Sequence, residues 1–278
     1  MVKVFALDSS GPVVTLGLAD GRKILAESQF TAGSKTVGFL APEIERILTE
    51  SGVHPRDLDG FALGAGPGSF TGLKVGYAAV MGLAFDGEKP IWTFPSLKLT
   101  ALGLALSAEF KKGLSIAGSK EKQPVFQPDS GGMHLGFGQG SPTDAKGKET
   151  PVGASDAPRN KVLVLTSAKK GYFYRGLFVW TENRVEEAEP LLAQKIEELV
   201  WPGEPVWVTG SALETERAEM MEHVRSEDRV AAKDFWHPPA GLLAQLASTG
   251  KLGEPVGKEA VLEPIFLKSF ETKFKEIA

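Results

Sequence analysis

Leu63-Gly64-Ala65-Gly66-Pro67-Gly68-Ser69-Phe70-Thr71-Gly72-Leu73-Lys74 is the stretch from which the rest of the chain is best read. Four glycines and a proline fall within nine residues, between two apolar segments. Upstream, Phe61-Ala62-Leu63 has the look of a short buried strand. Downstream, Val75 to Phe85 is small and apolar without proline, which predicts a helix. The stretch is therefore a strand, a tight loop and a helix start. Glycine permits close backbone approach, and a helix N-terminus offers unpaired N–H groups to an anion. Ser69 and Thr71 both suit the helix N-cap. Two roles fit: a tight packed connection, or a phosphate cradle using Gly66, Gly68, Ser69 and Thr71. It is not a Walker A loop, because Gly-Lys-Ser/Thr is missing. The dinucleotide fingerprint fits poorly, because no strand near the chain start opens into this loop.

Upstream of the loop, Val2–Leu7, Val13–Leu18 and Arg22–Phe30 alternate as three strands, joined by tight turns into an antiparallel meander. Asp8 and Ser9 close the first strand, where turn chemistry and a nucleotide-phosphate contact use the same residues. Val37, Leu40, Ile44, Ile47 and Leu48 recur at helical spacing, with Gly52 as the C-cap. Pro42 is tolerated only near the first turn of such a helix, which leaves its start open. Along the helix after the loop, Gly72, Gly76 and Ala79 share a side, with Gly82 nearby and Val80 and Leu83 adjoining. Small residues so spaced suit either internal packing or a partner chain.

Downstream, Asp86–Pro90 ends the helix, Ile91–Phe94 forms a strand, and Ser96 caps a helix to about Phe110. Lys111–Asn160 has scattered Gly, Pro, Ser and Lys, and is expected to be a long surface insertion. Met133–Phe137 could form a short element within it. Val162–Leu165 and Tyr172–Trp180 predict a hairpin that opens a second lobe. A helix over Ala188–Val200, a strand at Val206–Val208, a helix over Leu213–Val224 and one starting at Pro238-Pro239 follow. Pro264–Lys268 is expected to be a closing strand. The expected organisation is a lobe over 1–110, the insertion over 111–160 and a second lobe over 161–278.

The chain has 278 residues, a net charge of −4 and no cysteine. That charge gives no global basic footprint for holding phosphates by neutralisation. Without cysteine there are no disulfides, thiolate zinc sites or cysteine nucleophiles. No apolar run reaches the roughly 18 residues that a membrane span needs. The N-terminus passes straight into strand pattern, with no signal peptide, so the expected location is the cytoplasm.

The Gly64–Lys74 loop resembles, at full length, the hallmark loop of the TsaB (YeaZ) family in the glycoprotease-like branch of the actin/Hsp70 ATPase superfamily. Ala6-Leu7-Asp8-Ser9-Ser10 is similar to the family's opening strand, Leu40-x-Pro42-x-Ile44 to its first helix, and Pro264–Lys268 to its closing motif. The resemblance covers residues 1–110 closely and 161–278 loosely. It implies an α/β, ribonuclease H-like fold of two lobes, each a mixed sheet with flanking helices. It further implies a noncatalytic subunit that pairs with a TsaD-type transferase and a TsaE-type ATPase. That complex uses ATP to form N6-threonylcarbamoyladenosine next to the tRNA anticodon, and it meets tRNA as a complex. By resemblance, the two helices around Val37, Leu40, Ile44, Ile47, Gly72, Gly76, Ala79, Val80 and Leu83 form the partner interface. The same surface suits a homodimer when the chain is alone. Thr36 stands where the family often has His, and Thr166-Ser167-Ala168-Lys169 where it has Asp-Ala-Arg.

The residues bear on chemistry independently of the resemblance. A TsaD-type metal site needs His-x-x-x-His, and no two of His54, His134, His223 and His237 are four apart. His237, before Pro238-Pro239, is expected to be a loop residue and not a ligand. No Gly-x-Ser-x-Gly elbow is present. No metal or cofactor is expected on this chain. The alternative function is a small-molecule kinase, with Asp8 and Ser9 on a metal–nucleotide complex, Gly66 to Gly72 on phosphates, and Thr209–Ala212 as a second loop.

Overall fold

A computed structural model describes residues 2–31, 36–85, 89–115, 160–168, 171–181 and 184–256. The first sheet has five strands: β1 (Lys3–Asp8), β2 (Val13–Asp20), β3 (Lys23–Thr31), β4 (Gly60–Gly64) and β5 (Ile91–Phe94). Their order is β3-β2-β1-β4-β5. The first three form the expected antiparallel meander, and β4 and β5 add in parallel.

Strand alternation sends successive β1 residues to opposite faces of this sheet. Phe5 and Leu7 join the core under α1 (Thr36–Glu50) and α2 (Phe70–Ala84), with Leu40, Ile44, Ile47, Tyr77 and Val80. Val4 and Ala6 join the other face, under α7 (Ala240–Ser248), with Leu243 and Ala244. The residues on that face are mostly small, so the helix lies close: a Cβ on Gly17 would overlap the backbone of Ala240 and Gly241.

α1 corrects the expectation for Pro42, which lies well inside the helix and not in its first turn. The bond that Pro42 forgoes would go to the carbonyl of Gly38, an exposed residue that water can serve. The helix ends as expected at Gly52, whose φ is +64°. Gly52 N–H donates to Thr49 O and Val53 N–H to Leu48 O, both at 3.0 Å, the paired bonds of a Schellman cap.

The second sheet runs β11-β10-β6-β7-β8, with β9 also on β7. Its strands are β6 (Lys161–Ser167), β7 (Tyr172–Thr181), β8 (Arg184–Glu187), β9 (Leu192–Lys195), β10 (Trp207–Thr209) and β11 (Arg229–Val230). β6 and β7 form the expected hairpin. The helix expected over Ala188–Val200 is instead β9 and a 3-10 turn at Ile196–Glu198. The helix expected over Leu213–Val224 is divided into α5 (Ala212–Thr215) and α6 (Arg217–His223) at Glu216, whose φ of −129° and ψ of 42° are not helical.

One face of this sheet packs on α3 (Ser96–Ala105), with Phe110 of α4 (Ala108–Ser115); the other packs on α5 and α6. The two halves thus exchange helices: α3 follows the first sheet in sequence but covers the second, and α7 follows the second but covers the first. α4 reaches Ser115, beyond the expected start of the insertion at Lys111. The expectations for Met133–Phe137, for Pro264–Lys268 and for the turn at Asp86–Glu88 lie outside the described residues. Among the described residues, no helix is long and apolar enough to cross a membrane.

Candidate functional site

The C-terminal ends of β1 and β4 meet the start of α3 at one buried junction. Asp8 is fully buried there. Its Oδ1 accepts from the Ser10 N–H at 2.9 Å and the Ser10 hydroxyl at 2.6 Å. Its Oδ2 accepts from the Ser96 hydroxyl at 2.6 Å. The Ser96 oxygen in turn accepts from the Gly66 N–H at 3.0 Å. Burial pushes the Asp8 carboxyl above its ordinary range, against the opposing pull of Ser10 and Ser96. Tyr77, on α2, is pushed up to about 12 by burial and by the Asp8 charge. Its buried hydroxyl has no hydrogen-bond partner among the described residues.

The loop's glycines make room for the chain itself. A Cβ on Gly64 would overlap the Asp8 carboxylate, and one on Gly68 the carbonyl of Ser10. Ser69 N–H donates to Ser10 O at 2.7 Å, and Ala65 N–H to Phe94 O at 2.8 Å. Ser69 is the N-cap of α2, accepting from Gly72 N–H at 3.1 Å. Thr71, the other candidate cap, is an exposed residue inside the helix, which begins at Phe70 and not at Val75. Gly66 and Gly68 are buried, and Ser9 is buried with its hydroxyl donating to Gly72 O at 2.9 Å. The residues expected to cradle phosphate are therefore assembled, but the Ser9–Ser10 turn occupies the space along the loop.

The residues expected at the partner face lie mostly on the inward side of the two helices. Leu40, Ile44, Ile47 and Val80 are buried in the first core, and Ala79 and Leu83 pack against it. Gly72 and Gly76 lie against Ser9. Helical spacing marks these residues, but the groove they line is filled within the chain. The side chain of Val37 lies outside the described residues. The outward faces of the two helices carry other apolar residues: Phe39 (56% exposed) on α1, Phe70 (53%) and Met81 (50%) on α2, and Phe85 (93%) at its C-cap. Lys74 Nζ stands 4.1 Å above the Phe70 ring.

Three contributors escape sequence reasoning. Ser96 is the first residue of α3 and not its cap, which is Pro95; its hydroxyl serves Asp8 and Gly66 instead. Tyr174 reaches from β7 of the second lobe to Gly68 O at 3.4 Å. His237 is the expected loop residue, but it is buried, with Nε2 3.1 Å from Glu214 Oε2. Glu214 Oε1 is 2.7 Å from Lys233 Nζ. Burial holds His237 below the ordinary histidine range, and its Nδ1 has no partner among the described residues. Only the Tyr and His residue types hinted at these contacts. Among the described residues, no group of three or more His, Asp and Glu is placed to hold a metal ion.

A meander extended by parallel strands, with α3 and α7 exchanged between two sheets and an Asp-Ser-Ser turn at the junction, gives a two-lobed α/β fold of the actin/Hsp70-ATPase-like type. YeaZ from Pseudomonas aeruginosa shares this fold: it aligns over 96% of this chain and 100% of its own, with a TM-score of 0.65 and 18% identity. Residues 34–119 match the family model described as TsaD, tRNA N6-adenosine threonylcarbamoyltransferase. The tRNA threonylcarbamoyladenosine biosynthesis protein TsaB of Escherichia coli is 30% identical over 102 residues, 37% of this chain and 44% of that protein. Its namesake from Haemophilus influenzae is 42% identical over 66 residues, 24% of this chain and 27% of that protein. The chain thus spans less than half the length of these curated relatives. Over these stretches the chain is similar to TsaB and TsaD proteins, and over most of its length it shares the YeaZ fold.

Proposed function

We propose that this chain is a noncatalytic subunit in the formation of N6-threonylcarbamoyladenosine in tRNA. Its catalytic partner is a TsaD-type transferase, and a TsaE-type ATPase joins the pair in the cytoplasm. ATP is used, and tRNA met, by the complex. The observation that carries this reading is the division of labour around α2. On its inner side the glycine loop is filled by Ser9 and Ser10, while on its outer side Phe70, Lys74, Met81 and Phe85 form a partly apolar face. A protein surface of that composition suits a partner. The kinase alternative is disfavoured by Asp8, whose carboxylate is buried and held by Ser10 and Ser96 and so does not stand ready to receive a metal–nucleotide complex.

The test is reconstitution with a TsaD-type subunit and a TsaE-type ATPase, with and without this chain. Modified tRNA is expected only from the complete set. Product from this chain alone would sink the noncatalytic role, and ATP-dependent phosphorylation of a small substrate would establish the kinase. Phe85→Glu is expected to leave the thermal midpoint within about 2 °C, as exposed substitutions do, and to abolish complex formation on size-exclusion chromatography. The same face serves a homodimer in the isolated chain, so Phe85→Glu is also expected to turn any dimer into monomer.

A further inference from the structure

Gly68, Gly72 and Gly76 stand four residues apart along one side of the loop and α2, and all three meet the turn that follows β1. The Ser10 carbonyl fills the space beside Gly68, the Ser9 carbonyl the space beside Gly72, and the Ser9 hydroxyl the space beside Gly76. That hydroxyl also donates to Gly72 O at 2.9 Å. Two of these three contacts are made by backbone carbonyls, which cannot swing aside as a long side chain would. With the turn filling the space beside all three glycines, the packed helix has little freedom to roll or slide over it. Helical geometry then decides what points the other way: residues 70, 74, 78, 81 and 85 are all exposed.

We propose that Ser9 is a positioning residue for the outward face of α2. Its hydroxyl is a peg in the groove left by Gly72 and Gly76, and it fixes the rotation at which Phe70, Lys74, Met81 and Phe85 are presented. The consequence for binding rests on the docking role of that face proposed above; the positioning of α2 does not. Glycine at 72 and 76 is thereby explained by an intrachain fit, not by the approach of another chain.

The experiment is a swap of peg and groove in the full chain. Gly76→Ala places a methyl group on the Ser9 hydroxyl. Ser9→Ala removes that hydroxyl, after which Leu7 Cδ2 at 3.2 Å and the Cβ of residue 9 at 3.3 Å are the nearest atoms to the new methyl. Gly76→Ala is expected to raise amide hydrogen exchange along α2 in the isolated chain and to weaken binding to a TsaD-type subunit by about tenfold. The double variant Ser9→Ala/Gly76→Ala is expected to recover both, with affinity within about threefold of the native chain. Native exchange in Gly76→Ala, or no recovery of exchange in the double variant, overturns the positioning role. If Gly76→Ala alone does not fold, recovery of folding by Ser9→Ala supports the proposal and continued failure overturns it. Exchange in the isolated chain needs no partner. A complex of native affinity from Phe85→Glu therefore overturns the docking role alone.

Discussion

The hydroxyl of Ser96 serves two buried groups at once, donating to Asp8 and accepting from Gly66. Ser96→Ala leaves a carboxylate oxygen short of a donor and an N–H short of an acceptor, where water has little access. A buried polar group stranded in this way costs about 1–3 kcal/mol. For a chain of this size each kcal/mol lowers the thermal midpoint by about 2–4 °C. Calorimetry of Ser96→Ala is expected to show a fall of that order, and an unchanged midpoint would mean that the junction is not closed as described. His237 gives a pH dependence. Its folded value lies below the ordinary one because the imidazole is buried, so the unfolded chain binds the proton more readily. Its contribution is full above the ordinary histidine range and declines as pH falls through about 6.5. Asp8, Glu27 and Glu109 are all raised by burial and act with the opposite sign, easing as pH falls. The informative quantity is therefore the difference between the native chain and His237→Gln. That difference in unfolding free energy is expected to shrink from pH 7.5 to 5.5. A flat difference would show that His237 is not buried as a neutral ring. At this scale the sequence exposes residue types but not their pairings. Asp8 and Ser96 are 88 positions apart, and no local pattern links them.

At the scale of elements, local pattern served where local forces decide. The meander, the Gly52 cap and the loop-to-helix start at Ser69 all follow from alternation, turn residues and capping. The failure over Ala188–Val200 has a tertiary cause. Leu192, Ile196, Leu199 and Val200 recur at helical steps, yet β7 is ten residues long and bonds to β6 along one edge only. Its other edge is satisfied in two pieces, by β8 beside Phe178–Thr181 and by β9 beside Tyr172–Arg175. The backbone groups of a long buried strand outweigh the weak preference of thirteen residues for a helix. Pro42 poses the reverse case, a residue disfavoured locally and kept within α1. Pro42→Ala restores an N–H for the carbonyl of Gly38 and removes the ring from the helix interior. It is expected to raise stability by about 1 kcal/mol, less than the full cost of an interior proline because Gly38 is exposed to water. Urea titration would read this as a higher midpoint at unchanged slope. A lower midpoint would mean that Pro42 contributes packing that outweighs the missing bond.

For the molecule as a whole, the exchange of α3 and α7 matters more than either sheet alone. Sequence order suggests two successive lobes divided by an insertion, and periodicity cannot reveal that a helix serves the sheet it does not adjoin. The contacts make the point physically. Without α7, the face carrying Val4, Ala6, Ala19 and Ala62 loses its cover. Without α3, Val162, Val164 and Phe178 lose theirs. The exchanged helices also touch each other, since a Cβ on Gly103 of α3 would lie 2.8 Å from Cγ of Pro239, just before α7. Further bonds tie α7 to the first lobe: Thr15 to Pro238 O at 2.7 Å, and Gly241 N–H to Glu27 at 3.0 Å. Most of the cohesion between the halves is thus noncovalent and does not depend on the chain that joins Ser115 to Asn160. A protease site inserted between those residues allows this to be measured. After complete cleavage, the two pieces are expected to co-elute as one species with a single cooperative thermal transition, because each still holds the helix that covers the other's sheet. Denaturant should separate them, and the midpoint of the cleaved form should fall with dilution, as it does for any complex whose folded state requires association. Pieces that part on native chromatography and each unfold cooperatively would refute the exchange as the main bond between the lobes.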